Sequence, residues 1–199
     1  MSRSVKCSML VSRKAVPLRG FARTLLLSLA VLCAGHAARA DEFLGGPGGS
    51  RFNPLRCPLG TAVVGLAGRA GDVIDTIQLF CGKGRGDPDL DTITQGRIGP
   101  SQGGGPISAK CPIFHAATSI DVRTREFNGN IVISQILLHC RATLDGSQEV
   151  VRFFGGGGGD DAGSHECNPN TYINGFAGRS GTFIDAIAIF RCVKRSSLN

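Results

Sequence analysis

The chain carries one thirteen-residue pattern twice, first as Gly65-Leu-Ala-Gly-Arg-Ala-Gly-Asp-Val-Ile-Asp-Thr-Ile77 and again as Gly175-Phe-Ala-Gly-Arg-Ser-Gly-Thr-Phe-Ile-Asp-Ala-Ile187. Eight of the 13 positions are identical. Each copy follows one cysteine and ends shortly before another. Internal similarity at a fixed spacing indicates that the chain is built from copies of one supersecondary unit.

The middle of the chain repeats this plan in weaker form. A glycine run, Gly103 to Gly105, precedes Cys111, and an apolar stretch leads into Cys140. Glycine runs also precede the two stronger copies, at residues 45–49 and 155–159. We therefore predict three units of similar length, which cover residues 43–100, 101–152 and 153–199.

Within a unit the apolar residues recur at every second position, which is typical of a strand with one buried face. Ile77, Leu79 and Cys81 show this alternation. Ala62 to Ala67 is predicted as a preceding strand, and Gly68 to Gly71 as the turn between them. The third unit has one more residue between Asp185 and its cysteine than the first, which predicts a β-bulge.

Three similar all-β units predict pseudo-threefold symmetry, because three sheets facing one axis can each bury an apolar face. Residues 41–199 hold six cysteines, for which spacing alone allows 15 pairings. The repeats select one disulfide within each unit: Cys57–Cys81, Cys111–Cys140 and Cys167–Cys192. We expect each bridge to staple its own unit. Zinc binding is not expected, because close cysteine pairs are absent.

Residues 1–40 have the organisation of an export signal. They contain basic residues, an apolar run from Leu25 to Ala34, and a final Ala38-Arg39-Ala40. We predict cleavage after Ala40, which leaves 41–199 as a single domain in the periplasm or outside the cell. An uncleaved membrane anchor is the alternative, and initiation at Met1 or Met9 stays open. No later apolar run is long enough to span a membrane.

The net charge of the chain comes from this leader. Seven of the 22 basic residues and none of the 15 acidic residues fall within residues 1–40. Residues 41–199 therefore carry no net charge. A neutral body argues against a general nucleic-acid binder and against binding to anionic membranes.

The repeats resemble the jacalin-related lectins, the β-prism family, over residues 43–192. The resemblance lies in Gly45-Gly46-Pro47-Gly48-Gly49 and is strongest from Ile173 to Ile187. The cysteine pair in each unit is instead similar to vitelline membrane outer layer protein, whose tryptophan-rich loops this chain lacks. The resemblance implies an all-β fold, a β-prism of three antiparallel Greek-key-like sheets with one disulfide per unit.

In the jacalin-related lectins a GxxxD loop and a neighbouring glycine loop form the sugar site. The chain has two GxxxD matches, Gly71-Asp72-Val73-Ile74-Asp75 and Gly181-Thr182-Phe183-Ile184-Asp185. The family geometry pairs the second with Gly45, Gly46, Gly48 and Gly49, and the first with Gly103, Gly104 and Gly105. The middle unit has Asn130 and Ser134 at the matching positions and is expected to lack a site.

The chemistry of such a site follows from its residue types. A carboxylate can accept hydrogen bonds from two adjacent sugar hydroxyls, and glycines let the opposite main chain approach the ring. Asp75 and Asp185 are expected to act in this way on exposed loops, with Phe183 placed to stack. The alternative is that the motif serves folding, with each aspartate bonded to its own loop amides.

Other features carry less chemistry. The stretch Asp87 to Asp91 resembles a calcium loop but lacks the required glycine and glutamate, so we interpret it as a solvated acidic loop. Arg69 and Arg179 recur at one place and are expected to pair with a carboxylate. The histidines have no ligand spacing: His115, His139 and His165. No catalytic constellation is evident, and no cofactor or metal is expected.

The sequence thus predicts a secreted, non-catalytic carbohydrate-binding protein whose partners are glycans or glycoconjugates. In the galactose-preferring lectins a chain cleavage frees the amino group of the first glycine. Here Asp41 to Leu44 precede Gly45, which favours mannose or glucose. The alternative is a structural protein of an extracellular coat or envelope. The glycan, the oligomeric state and the biological process stay open.

Overall fold

A computed structural model of the protein describes residues 43–84, 92–93 and 96–198. The predicted signal peptide and the acidic stretch Asp87 to Asp91 lie outside these ranges. Within them no helix is long and apolar enough to cross a membrane. The strands are β1 Leu44–Gly45, β2 Ser50–Arg51, β3 Leu55–Arg56, β4 Ala62–Ala70, β5 Ile74–Gly82, β6 Thr92–Ile93, β7 Gly105–Lys110, β8 His115–Phe127, β9 Asn130–Ala142, β10 Glu149–Gly155, β11 Asp160–Glu166, β12 Thr171–Ser180 and β13 Ile184–Lys194; a 3-10 helix covers Arg195–Leu198.

The strands form three antiparallel sheets, which confirms the predicted all-β prism. Sheet A has the order β1-β13-β12-β2, with β3 also paired to β12. Sheet B has the order β6-β5-β4-β7, and sheet C has the order β10-β9-β8-β11. Each sheet is built on the long hairpin of one sequence unit and takes an outer strand from the next unit. Sheet A, built on the hairpin of the third unit, takes its outer strands from the first unit.

The apolar faces of the three sheets meet in one core. The alternation in the sequence explains this arrangement, because in a strand every second side chain points to the same face. Fully buried residues come from all three sheets: Leu66, Ile77 and Leu79 of sheet B, Ile120, Ile136 and Leu138 of sheet C, and Ile173, Phe176 and Ile187 of sheet A. Ile77, Leu79 and Cys81 of β5 are buried as predicted, but Thr76 and Phe80 on the opposite face are buried too, so β5 does not have the single buried face that its alternation predicts.

The three disulfides have the predicted pairing, but their structural role differs from the prediction. Cys57 follows β3 of sheet A and bonds to Cys81 of sheet B. Cys111–Cys140 joins sheet B to sheet C in the same way, and Cys167–Cys192 joins sheet C to sheet A. Each bridge therefore fastens two neighbouring sheets, because a sequence unit contributes strands to two sheets.

The local predictions had mixed outcomes. The extra residue of the third unit is a bulge, since Gly175 pairs with Arg191 and Phe176 with Ile189, which leaves Phe190 unmatched. The turn predicted at Gly68 to Gly71 was wrong, because β4 continues to Ala70. A side chain at Gly68 would overlap the carbonyl of Thr76, so this glycine serves close packing within the sheet.

Removing the bridge between sheets C and A, by Cys167→Ala with Cys192→Ala, should lower the free energy of unfolding by about 3 kcal/mol. The bridge closes a loop with a sequence separation of 25 residues. Urea denaturation measures the loss, and amide exchange locates it. We expect faster exchange in both β11 and β13. Faster exchange confined to sheet A would contradict a role in joining two sheets.

Candidate functional site

The structure places one residue of each central hairpin in an equivalent bulge near the hairpin end. In sheet B, Arg69 pairs with Thr76 and Ala70 with Ile74, so Asp75 has no partner across the ladder. Register shifts at the same place leave Asp185 unmatched in sheet A and Ser134 unmatched in sheet C. Bulges re-aim side chains, and here they turn the two aspartates towards the glycine loops.

The glycine run of residues 45–49 lies directly against Asp185. A Cβ atom at Gly48 would overlap the Oδ1 atom of the carboxylate, and one at Gly49 would overlap Oδ2. Gly49 also has a φ of +60°, which disfavours side chains. The remaining predicted glycines contribute differently, because Gly45 contacts the main chain of Asp185 and Gly46 contacts that of Ile131.

The same arrangement recurs at Asp75. A Cβ atom at Gly103 would overlap the Oδ1 atom of Asp75, and one at Gly104 would overlap the main chain of Ala70. Gly105 does not join the site, because it begins β7 and has no atom within 4 Å of its Cβ direction. The structure therefore brings together both GxxxD loops with parts of the predicted glycine runs.

Arg69 and Arg179 hold the glycine loops in place. The Nε of Arg179 donates to the carbonyl of Gly48 at 2.7 Å, and its Nη2 donates to that of Gly49 at 2.8 Å. Arg69 donates in the same way to the carbonyls of Gly103 and Gly104. The sequence predicted carboxylate pairing for these arginines, whereas the bonded acceptors are loop carbonyls.

The carboxylates are buried, which corrects the expectation of exposed loops. Asp75 and Asp185 are each only 5% exposed. Burial raises the pKa of Asp185 above its ordinary value, and the Gly181 amide and the Arg179 charge oppose that shift. Burial likewise raises the pKa of Asp75 against the charge of Arg69. Oδ2 of Asp185 has no hydrogen-bond partner among the described residues.

The other residues of the two loops divide between core and surface. Ile74, Ile184 and Val73 are buried apolar residues and support the loops from below. Gly71, Gly181 and Thr182 are exposed. Their shared turn geometry is visible in the main chain, where the amide of Gly71 donates to Val73 and that of Gly181 donates to Phe183.

The hairpin of β8 and β9 touches both loops, and the sequence analysis missed this feature. Its pairing continues to Phe127 and Asn130, around a turn in which Asn128 and Gly129 have φ values of 51° and 74°. An Asn-Gly pair between alternating residues is the signal that could have predicted this two-residue turn.

The extended hairpin fixes one side of each loop. The Phe127 ring meets the Phe183 ring edge-on, with a centroid distance of 5.2 Å. Arg125 lies 3.7 Å from the carboxylate of Asp72. Phe183, which was predicted to stack on sugar, therefore already has an aromatic neighbour that orients it.

The third bulge is closed by its own sheet. The Oγ of Ser134 donates to the carbonyl of Gly158 at 2.7 Å, and Gln135 donates to that of Gly156. Asn130 lies at the hairpin tip, away from the position of Gly71 and Gly181. The Ser134 hydroxyl group is therefore already hydrogen-bonded to the loop that it faces.

His139 makes structural contacts on both of its ring nitrogens. His139 lies between two carboxylates, with Nε2 at 2.9 Å from Asp121 and Nδ1 at 2.8 Å from Glu149. Burial alone would lower the pKa of His139, but these hydrogen bonds outweigh it and raise the pKa. In the described part of the chain, no three His, Cys, Asp or Glu side chains are grouped to hold a metal ion.

Three sheets closed around one axis, with paired aspartate and glycine loops at hairpin ends, define the β-prism class. The chain shares the fold of the jacalin-related lectins. No protein-family model matches the sequence, and no curated protein matches it.

The likeness to solved structures extends over most of each molecule. Artocarpin in complex with mannopentose has 18% identity and a TM-score of 0.55, over 76% of this chain and 94% of that one. A mannose-specific jacalin-related lectin from Morus nigra, in complex with mannose, has 20% identity and a TM-score of 0.52, over 73% and 88%. Malaysian banana lectin has 23% identity and a TM-score of 0.50, over 73% and 91%. At these identities the likeness shows the fold.

The unpartnered carboxylate oxygen leads to a prediction about stability. Asp185→Asn keeps the shape of the side chain and removes a buried charge, so it should leave the free energy of unfolding at pH 7 unchanged or raise it. A buried group without a partner costs about 1–3 kcal/mol. Urea denaturation of both proteins measures the difference.

The pH dependence gives the sign of this effect. Because the folded-state pKa of Asp185 is raised above its ordinary value of 3.8, the folded state holds its proton where the unfolded chain has lost it. Wild-type stability should therefore fall relative to Asp185→Asn as pH rises from 3.8 through the folded-state pKa. A difference that grew as pH fell would contradict the burial argument.

Proposed function

We propose that the protein is a non-catalytic carbohydrate-binding protein with two sites, one at Asp75 and one at Asp185. The observation that carries this proposal is the placement of each aspartate, which lies in a bulge against a glycine loop that an arginine holds. A sugar hydroxyl can donate a hydrogen bond to such a carboxylate without bringing a second charge.

The geometry around each aspartate suits a hydroxyl pair. The bulge fixes the carboxylate, and the guanidinium of Arg69 or Arg179 fixes the facing glycine loop. Little ordering is then needed when a sugar binds, which favours affinity in a small site. The partly exposed Phe183 ring offers an apolar surface beside the Asp185 site.

Mannose or glucose is the favoured sugar. Leu44 is buried and pairs with Ile187 in sheet A, so the amide of Gly45 is held in a continuous chain and supplies no free amino group. Artocarpin and the Morus nigra lectin, which share the fold, were solved with mannose-containing ligands. Both facts support a neutral hexose of the mannose or glucose type.

Export to an oxidising compartment belongs to the same proposal. Three disulfides in one domain suit the periplasm or the outside of the cell, where such bridges persist. Residues 1–40 supply the signal peptide in this reading. The exported protein should have Asp41 as its first residue, which N-terminal sequencing of the secreted fraction checks. A mature protein that retained Leu25 to Ala34 would favour the membrane anchor.

The site prediction concerns the two aspartates. Asp75→Asn and Asp185→Asn should each abolish one site for methyl α-mannoside, and the double variant should lose both. A dissociation constant near 1 mM corresponds to about −4 kcal/mol, and a hydrogen bond to a charged group contributes about 1.5–3 kcal/mol. Affinity at a changed site should fall at least about tenfold. Titration calorimetry gives the stoichiometry.

Asparagine is the informative replacement because the carboxylates are buried and alanine would leave a cavity. Asp160→Asn, on an exposed position of β11, is the matched control and should bind as the wild type does. Full binding by a folded double variant would contradict the site assignment. If the folded wild type bound no sugar on a glycan array, the alternative of a structural coat protein would be favoured instead.

A further inference from the structure

Sheets B and C each have a shallow hollow on the outer face, below the loop end. The hollow of sheet B has a volume of about 350 Å³, and that of sheet C about 240 Å³. They occupy equivalent places, because Ala67 and Arg69 of the first have the same ladder positions as Asp121 and Arg123 of the second. The pseudo-symmetry thus allows three sheets to be compared at one position.

The matching place on sheet A is covered. Phe43 precedes β1 at one edge of the sheet, and Arg51 lies on β2 at the other edge. The Arg51 guanidinium nevertheless lies 5.2 Å from the centroid of the Phe43 ring. The two side chains therefore meet across the outer face of sheet A.

The hollow of sheet B differs from the other two in charge. Arg69 and Arg97 line it together with Thr76, Gln78 and Ser108, and its described lining contains no carboxylate. In sheet C the carboxylates of Asp121 and Asp161 offset Arg123. Arg97 is exposed and forms no ion pair with any described residue. Only the hollow of sheet B, among the described surfaces compared, therefore suits an anion.

This hollow lies beside the Asp75 site. Thr76 follows Asp75 along β5, and Arg69 both lines the hollow and holds the glycine loop that faces Asp75. A ligand in the hollow would thus lie next to a sugar at Asp75. The guanidinium of Arg97 is planar and matches a carboxylate, while the accessible Gln78 amide and Ser108 hydroxyl match ring hydroxyls.

We propose that the hollow of sheet B binds a uronic acid residue of a glycan whose neighbouring neutral residue occupies the Asp75 site. The proposal rests on the sugar-binding function above and adds the substrate class: an acidic oligosaccharide. Arg97 is the specificity residue. Arg69 is already bonded to the glycine loop, whereas the guanidinium of Arg97 forms no ion pair with a described residue.

The test compares two disaccharides in which mannose is linked to a second sugar that differs only at C6. In one the second sugar is glucuronic acid, whose C6 is a carboxylate, and in the other it is glucose, whose C6 is a hydroxymethyl group. The wild type should bind the glucuronic acid disaccharide about fivefold more tightly, as expected for a partly exposed ion pair. The preference should shrink with added salt and vanish in Arg97→Gln, whose affinity for the glucose disaccharide should be unchanged.

Arg191→Gln is the matched control, since it removes an exposed arginine from sheet A and changes the net charge equally. It should keep the preference, and an equal loss in this variant would overturn the proposal in favour of general charge attraction. Equal binding of both probes by the wild type would overturn the uronic acid site and leave the sugar sites intact. Failure to bind either probe would overturn both.

Discussion

A sheet with one apolar face must bury that face against another element, and the three sheets of this protein bury theirs against one another. Closing them around a common axis buries Leu66, Ile120 and Phe176 in one core. Each sheet borrows an outer strand from the neighbouring sequence unit, and each disulfide crosses a sheet boundary. The closure is therefore covalent as well as hydrophobic, and the loops are displayed from a frame that no single sheet could provide.

The candidate sites depend on this frame because their charge is costly to hold. Burial raises the pKa of both aspartates. Only rigid surroundings can keep each carboxylate in contact with a glycine main chain. The bulge, the glycine loop and the arginine bonded to that loop supply the fixed surrounding. In sheet C the serine at the same position bonds to its own loop. The same bulge thus holds a buried carboxylate in sheets A and B and a hydrogen-bonded serine in sheet C.

Much of this arrangement could be predicted from the sequence, and the misses have physical causes. The repeat fixed the strand phase, the cysteine pairs and the two aspartates, because all of these are local in sequence. Burial of Asp75 was missed because it depends on a glycine loop that a different sequence unit supplies. The sheet-joining role of the disulfides was missed for the same reason, and the contacts of Phe127 depend on a hairpin extension present only in the middle unit.

The most direct test is an amide NMR titration of the protein with methyl α-mannoside. The account predicts shifts confined to two clusters: residues 71–75 with 103–104, and residues 181–185 with 48–49. Residues 133–135 and 157–159, which form the closed equivalent in sheet C, should stay unchanged. Shifts in all three clusters alike, or shifts in neither aspartate cluster while the protein stays folded, would contradict it.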